Sequence, residues 1–99
     1  MSVPRRKEVL DLLRSHKEDF ADRYGVISLG VFGSVARDDA GEDSDVDICI
    51  KTKTPDAYAL VHLKDEIEKL VGKHVDIVRI REKMNPHLKE RIENEGVYV

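Results

Sequence analysis

The chain holds one cysteine, Cys49, and a lone thiol can close no intramolecular disulfide and build no thiolate metal cage. It reads as a small strand residue. Long apolar runs are missing too: nothing approaches the roughly 20 residues that span a bilayer, and the amino terminus lacks the apolar stretch of about 7–15 residues that a secretory signal needs. The expected location is the cytoplasm, away from any membrane. A basic field is absent as well, because 17 Lys and Arg stand against 20 Asp and Glu for a formal net charge of −3. That balance, with a pI near 5.8, argues against direct nucleic-acid binding. Arg5-Arg6-Lys7, the tightest basic cluster, reads as the solvated start of a helix. His16, His62, His74 and His87 share no metal-ligand spacing and read as surface or boundary residues. The acidic run from Asp38 to Asp47 lacks the EF-hand placement of Asp, Gly and terminal Glu. No repeat, low-complexity tract or linker interrupts the 99 residues, so one domain over 1–99 with one modest core is expected.

Periodicity supplies the elements. Val9, Leu10, Leu13, His16 and Phe20 recur at spacings of three and four, predicting an amphipathic helix from Val3 to Tyr24, with Pro4 in its first turn and Gly25 to end it. Residues 26–33 predict an apolar strand, 34–44 an acidic connection opening with a short helical turn, and 45–52 a second strand. Thr54-Pro55 reads as an N-cap with proline at the first helical position, opening a helix whose Leu60, Leu63, Ile67, Leu70 and Val71 form one stripe up to Gly72. A third strand is expected at 74–80. Asn85-Pro86 repeats the helix-start signal, Leu88 and Ile92 give a short buried face, and Gly96 marks the stop before Val97-Tyr98-Val99. The order helix, strand, strand, helix, strand, helix describes a small α/β (α+β) sandwich. Helices are expected on the sheet face that takes Val46, Ile48, Val75 and Ile77, leaving the aspartate face open. The residues leave the mutual direction of the second and third strands open; a parallel pair would need a right-handed crossover.

The chemistry concentrates between Gly33 and Asp47. Gly33-Ser34 ends the apolar run from Val26 to Phe32, where free backbone N–H groups can face phosphate oxygens. Asp45 and Asp47 open the next run, and residues two apart in a strand leave the same face. Two carboxylates about 5 Å apart repel by roughly 3 kcal/mol at an effective dielectric of about 20, so a cation is expected between them. Oxygen ligands beside a triphosphate suit Mg²⁺, with Mn²⁺ as the alternative. Asp76, flanked by Val75 and Ile77, offers a third acid from another strand. Three such acids can hold a metal pair about 3.5–4 Å apart, the arrangement that activates an attacking hydroxyl and stabilises departing pyrophosphate. Strict alternation puts Cys49 on the same face as Asp47.

With Gly33-Ser34, ten intervening residues, Asp45-Val46-Asp47 and the later Asp76, the chain resembles the polymerase-beta-like nucleotidyltransferase superfamily, and within it the minimal nucleotidyltransferases. The stretches Gly33-Ser34-Val35-Ala36-Arg37, Ser44-Asp45-Val46-Asp47-Ile48, Val75-Asp76-Ile77-Val78 and Leu88 to Val99 carry the resemblance. It implies a small mixed sheet and the role of antitoxin to a helical HEPN-type ribonuclease toxin, exercised by moving AMP from ATP to a tyrosine hydroxyl of that toxin. By position, Asp45, Asp47 and Asp76 would be the catalytic and metal-binding acids, Asp76 helping to deprotonate the hydroxyl. Gly33, Ser34, Arg37 and Ser44 would bind nucleotide. Two other readings stand beside this one: a binding module that silences the toxin by occlusion, and a small-molecule nucleotidyltransferase that borrows a helical subunit. Arg37 has an alternative use, pairing with Asp38, Asp39 or Asp43. Asp38 departs from the pattern, which has glycine there, and so adds negative charge and gives up glycine's tolerance of positive φ.

Overall fold

The computed structural model describes residues 3–99, so the first two positions of the expected 1–99 unit lie outside the described residues. Its elements are α1 (Arg6–Tyr24), β1 (Val26–Phe32), α2 (Gly33–Arg37), β2 (Val46–Thr52), α3 (Ala57–Val71), β3 (Val75–Arg79), α4 (Pro86–Glu95) and β4 (Val97–Tyr98). Four strands form one sheet in the order β3-β2-β1-β4. β1 runs antiparallel to both β2 and β4, while β2 and β3 run parallel through the α3 crossover. The sheet is mixed, as expected.

One face carries the main core. Leu29 and Val31 of β1, Val46, Ile48 and Ile50 of β2 and Val75 of β3 pack against Val9, Leu13 and Phe20 of α1 and Leu63, Ile67 and Val71 of α3. The period of two along the strands meets the helical period of the stripes, and apolar side chains leave water on both sides. The polar rim of this layer is tied as well. Arg23 pairs with both Asp19 and Glu66, and the Tyr24 hydroxyl donates to Glu66 at 2.7 Å, joining α1 to α3.

The opposite face is not left open along its length. Ile92 of α4 packs on Phe32 and Cys49, with Val78, Ile80, Met84 and Leu88 around them. This second cluster covers the Cys49 part of the aspartate face, because α4 returns across the sheet instead of joining the other helices. Alternation had placed Cys49 correctly, yet the thiol is fully buried.

Element boundaries differ from expectation for local reasons. α1 begins at Arg6, leaving Pro4 outside the helix. The α3 cap is Asp56, whose carboxylate accepts from the Ala59 N–H at 3.1 Å, so Thr54-Pro55 belongs to the preceding loop. Asn85 does cap α4, accepting from His87 and Leu88 N–H at 2.9 and 3.2 Å. The residues after Gly96 form a strand, with Val97 and Tyr98 pairing to Val31 and Gly30. Gly30 is required there, since a Cβ would press on the Val97 carbonyl and the Tyr98 ring. Among the described residues no helix is long and apolar enough to cross a membrane.

Candidate active site

Parallel pairing of β2 with β3 sets the acids together. Asp47 and Asp76 are register partners, so their side chains leave the same sheet face from adjacent strands about 4.8 Å apart. Asp47 is half-buried; Asp45 and Asp76 are exposed. Burial raises the Asp47 carboxyl above its ordinary value, the charge of Asp76 raises it further, Arg91 opposes, and Asp45 and Glu95 add smaller increases. An ionised Asp47 is therefore held at a cost that a cation would relieve.

Gly33 stands directly behind this group. It takes φ +71°, and a Cβ there would collide with the Asp47 carboxylate. Only glycine fits a backbone so close to a charged side chain. The same residue begins α2, and Ser34 follows half-buried, its carbonyl accepting from the Asp39 N–H at 3.0 Å.

The structure brings some expected residues together and uses others differently. Asp45 and Asp76 converge with His74, and one ligand atom from each lies within 4.8 Å of the others. His74 Nδ1 is 3.4 Å from Asp45 Oδ1. His74, read as a surface or boundary residue, is indeed exposed, and it flanks the acids because it precedes β3 by one position. Asp47 is outside that trio but adjoins it across the register pair. Ser44 is engaged in its own loop, where its hydroxyl accepts from the Gly41 N–H at 2.9 Å. Arg37 donates to Asp39 at 3.2 Å and to Glu95 at 2.9 Å, which realises the ion-pair alternative and adds a partner the sequence did not suggest. Glu95 also accepts from the Gly33 N–H at 3.2 Å.

These donors fit a hard divalent cation: carboxylate oxygens predominate, and one imidazole is compatible with Mn²⁺. Crowding of the half-buried Asp47 against Asp76 is the observation that supports the fit. A cavity of about 300 Å³ lies elsewhere, lined by Lys51, Ile80, Arg81, Lys89, Ile92 and Tyr98 among others, and none of the expected site residues lines it.

A mixed sheet that sets paired carboxylates beside a glycine-serine turn can hold a divalent cation next to phosphate oxygens. Residues 13–99 match the Nucleotidyltransferase domain model, and the chain belongs to that family. It is 34% identical over 100 residues to protein adenylyltransferase MntA of Thermococcus cleftensis, covering 100% of both chains. A solved structure described as a candidate minimal nucleotidyltransferase is 35% identical, with a TM-score of 0.70 over 89% of this chain and 93% of that one. A crystal structure of a toxin-antitoxin with AMP-PNP shares the fold at a TM-score of 0.69, with 21% identity over 94% of this chain and 70% of that one.

Proposed function

We propose that this chain is a Mg²⁺-dependent protein adenylyltransferase that acts in the cytoplasm as an antitoxin, moving AMP from ATP to a tyrosine hydroxyl of a HEPN ribonuclease toxin. Residues 1–99 work as one minimal nucleotidyltransferase domain in this reading. The observation that carries it is the contact of Gly33 with the Asp47 carboxylate, itself in register with Asp76. That contact supports reading the Gly33-Ser34 turn as a phosphate cradle beside a charged pair that a cation would relieve. Full-length similarity to protein adenylyltransferase MntA supports the choice of AMP and of a protein acceptor. A further solved structure, a tri-AMPylated HEPN toxin of Shewanella oneidensis with its MNT antitoxin, shares the fold at a TM-score of 0.61.

In this reading Asp45, Asp47 and Asp76 hold two Mg²⁺ ions, or Mn²⁺ in their place, with His74 beside Asp45. The ions, when bound, offset charge on the phosphates and lower the pKa of the acceptor hydroxyl. The chain's own residues do the rest. Gly33 N–H and Ser34 hold the terminal phosphates, Arg37 neutralises them, and Asp76 receives the phenolic proton. A phenol with a pKa of about 10 is mostly protonated at neutral pH, so a carboxylate base has a defined task. The tyrosine oxygen bonds to the α-phosphorus as the bond to the β-phosphate oxygen breaks, and pyrophosphate leaves.

Incubation with α-labelled ATP, Mg²⁺ and a HEPN partner is expected to label the partner on tyrosine. Absence of transfer under conditions where ATP binds would end the enzymatic reading. Asp45→Asn with Asp47→Asn separates transfer from occlusion: the double variant should still bind the toxin and fail to silence its ribonuclease.

A further inference from the structure

Glu95, the last residue of α4, reaches the glycine-serine turn from far along the chain. One carboxylate oxygen accepts from the Gly33 N–H at 3.2 Å, across 62 positions, and the other accepts from Arg37 Nη1 at 2.9 Å, across 58. Carboxylate and phosphate present the same kind of paired anionic oxygens to a backbone N–H and a guanidinium. The two groups assigned above to the phosphates are therefore already engaged by an anion of the protein itself. We propose that Glu95 is an internal occupant of the phosphate cradle that a triphosphate must displace, so that nucleotide binding and the seated Glu95 exclude one another. This rests on the reading of Gly33 and Arg37 as phosphate-holding residues.

The surroundings suit displacement by side-chain rotation. Glu95 keeps a quarter of its side chain in solvent, and Arg91, one helical turn earlier, has Nη2 3.9 Å from Glu95 Oε2. Rotation away from the turn can pass the carboxylate to Arg91 while Arg37 passes to phosphate. The helix end itself is fixed. Gly96 N–H donates to the Ile92 carbonyl at 2.8 Å, and a Cβ at Gly96 would press on that carbonyl and on the Tyr98 ring. Seated Glu95 also braces α4 against α2, so release of the carboxylate loosens a link between the phosphate turn and the helix that covers Cys49.

Inorganic tripolyphosphate is the probe, because it reads the cradle without the nucleoside and without turnover. Its affinity is measured by calorimetry for the wild type, Glu95→Gln, Glu95→Asp, Glu93→Gln and Arg37→Gln. The seated carboxylate makes two charge-assisted hydrogen bonds that a bound phosphate must break, and a tenfold change in affinity corresponds to about 1.4 kcal/mol. Glu95→Gln is therefore expected to bind about tenfold tighter than wild type. Glu95→Asp, which keeps the charge and loses reach, should fall between. Glu93→Gln removes one negative charge from the same helix without touching the turn, and should stay within about twofold of wild type. Equal gains in Glu95→Gln and Glu93→Gln, or weaker binding by Glu95→Gln, would overturn the proposal while leaving the cradle intact, provided Arg37→Gln weakens binding. No binding by any form would instead remove the cradle, and the occupant with it.

Discussion

The Asp38 carboxylate accepts a hydrogen bond from the Arg6 backbone N–H at 3.0 Å, so the residue that departs from the family pattern serves the start of a different helix. α1 needs that partner, because its own N-cap position, Arg5, offers no side-chain cap. Asp38 also adopts φ 61° and ends α2, the conformation in which glycine is at ease. Its charge is turned toward the N-terminus of α1, where an acid is favourable.

Two substitutions at this position should separate. Asp38→Ala loses the cap and keeps the strained backbone, and is expected to cost about 1–2 kcal/mol, or roughly 4–16 °C in Tm. Asp38→Gly loses the cap but relaxes the backbone, and should stay within about 0.5 kcal/mol of wild type. Thermal melts that place the two variants together would contradict this account.

Asp47 sets a pH dependence. Its carboxyl is raised, chiefly by burial and then by Asp76, so the native state holds this proton more tightly than the unfolded chain does. Stability then falls as pH rises from the ordinary carboxylate value, about 3.9, through the higher native value, and the loss persists above it. Asp47→Asn should be more stable than wild type at neutral pH in chelator, by about 1 kcal/mol on the scale of a like-charge pair. Added Mg²⁺ should raise the wild-type Tm more than that of Asp47→Asn. Destabilisation of Asp47→Asn in chelator would refute it.

Gly33→Ala tests the close approach. The side chain meets φ +71° and the Asp47 carboxylate together, for an expected loss of about 2–4 kcal/mol. Adding Asp47→Ala should recover about 1–2 kcal/mol of it, since only the collision is relieved. Denaturant melts of the four forms give the coupling, and strict additivity would show that the two residues do not touch.

Cys49 should be inert in the folded protein. It is fully buried, and burial pushes its thiol up, with the Tyr98 hydroxyl opposing. Labelling by a thiol reagent should follow global unfolding in rising urea. Tyr98 is itself pushed up to about 12, first by burial and then by Cys49. Spectroscopic titration of Tyr98→Phe should lose one late phenolate step and keep that of Tyr24, which its hydrogen bond to Glu66 also raises. Rapid native-state labelling of Cys49 would contradict the first statement, and an unchanged titration the second.

Much of this was legible in the residues. The stripes of α1 and α3, the alternation through Val46, Asp47 and Ile48, and Asn85-Pro86 at the start of α4 each report one local preference that the fold keeps. The α3 cap was misread because Thr54-Pro55 and Asp56 both carry start signals, and the Asp56 carboxylate reaches Ala59. β4 has two residues, too few for a period, and is defined by its partners on β1. In the site, spacing pointed to Asp45, Asp47 and Asp76 because strand geometry is short-range. Glu95 and His74 gave no such signal: one meets Gly33 from 62 positions away, and the other meets Asp45 only because β2 and β3 pair in parallel.

The short β4 acts as a shield. With the Val99 N–H donating to the Leu29 carbonyl at 2.9 Å and Lys17 Nζ donating to the Val99 carbonyl at 2.8 Å, the tail covers the outer backbone of β1. Trimming Val97–Val99 would bare hydrogen-bonding groups of Leu29 to Val31 next to the exposed Ile27, a ready template for strand addition by a second copy. The harm from such a cut would appear as self-association of otherwise folded molecules.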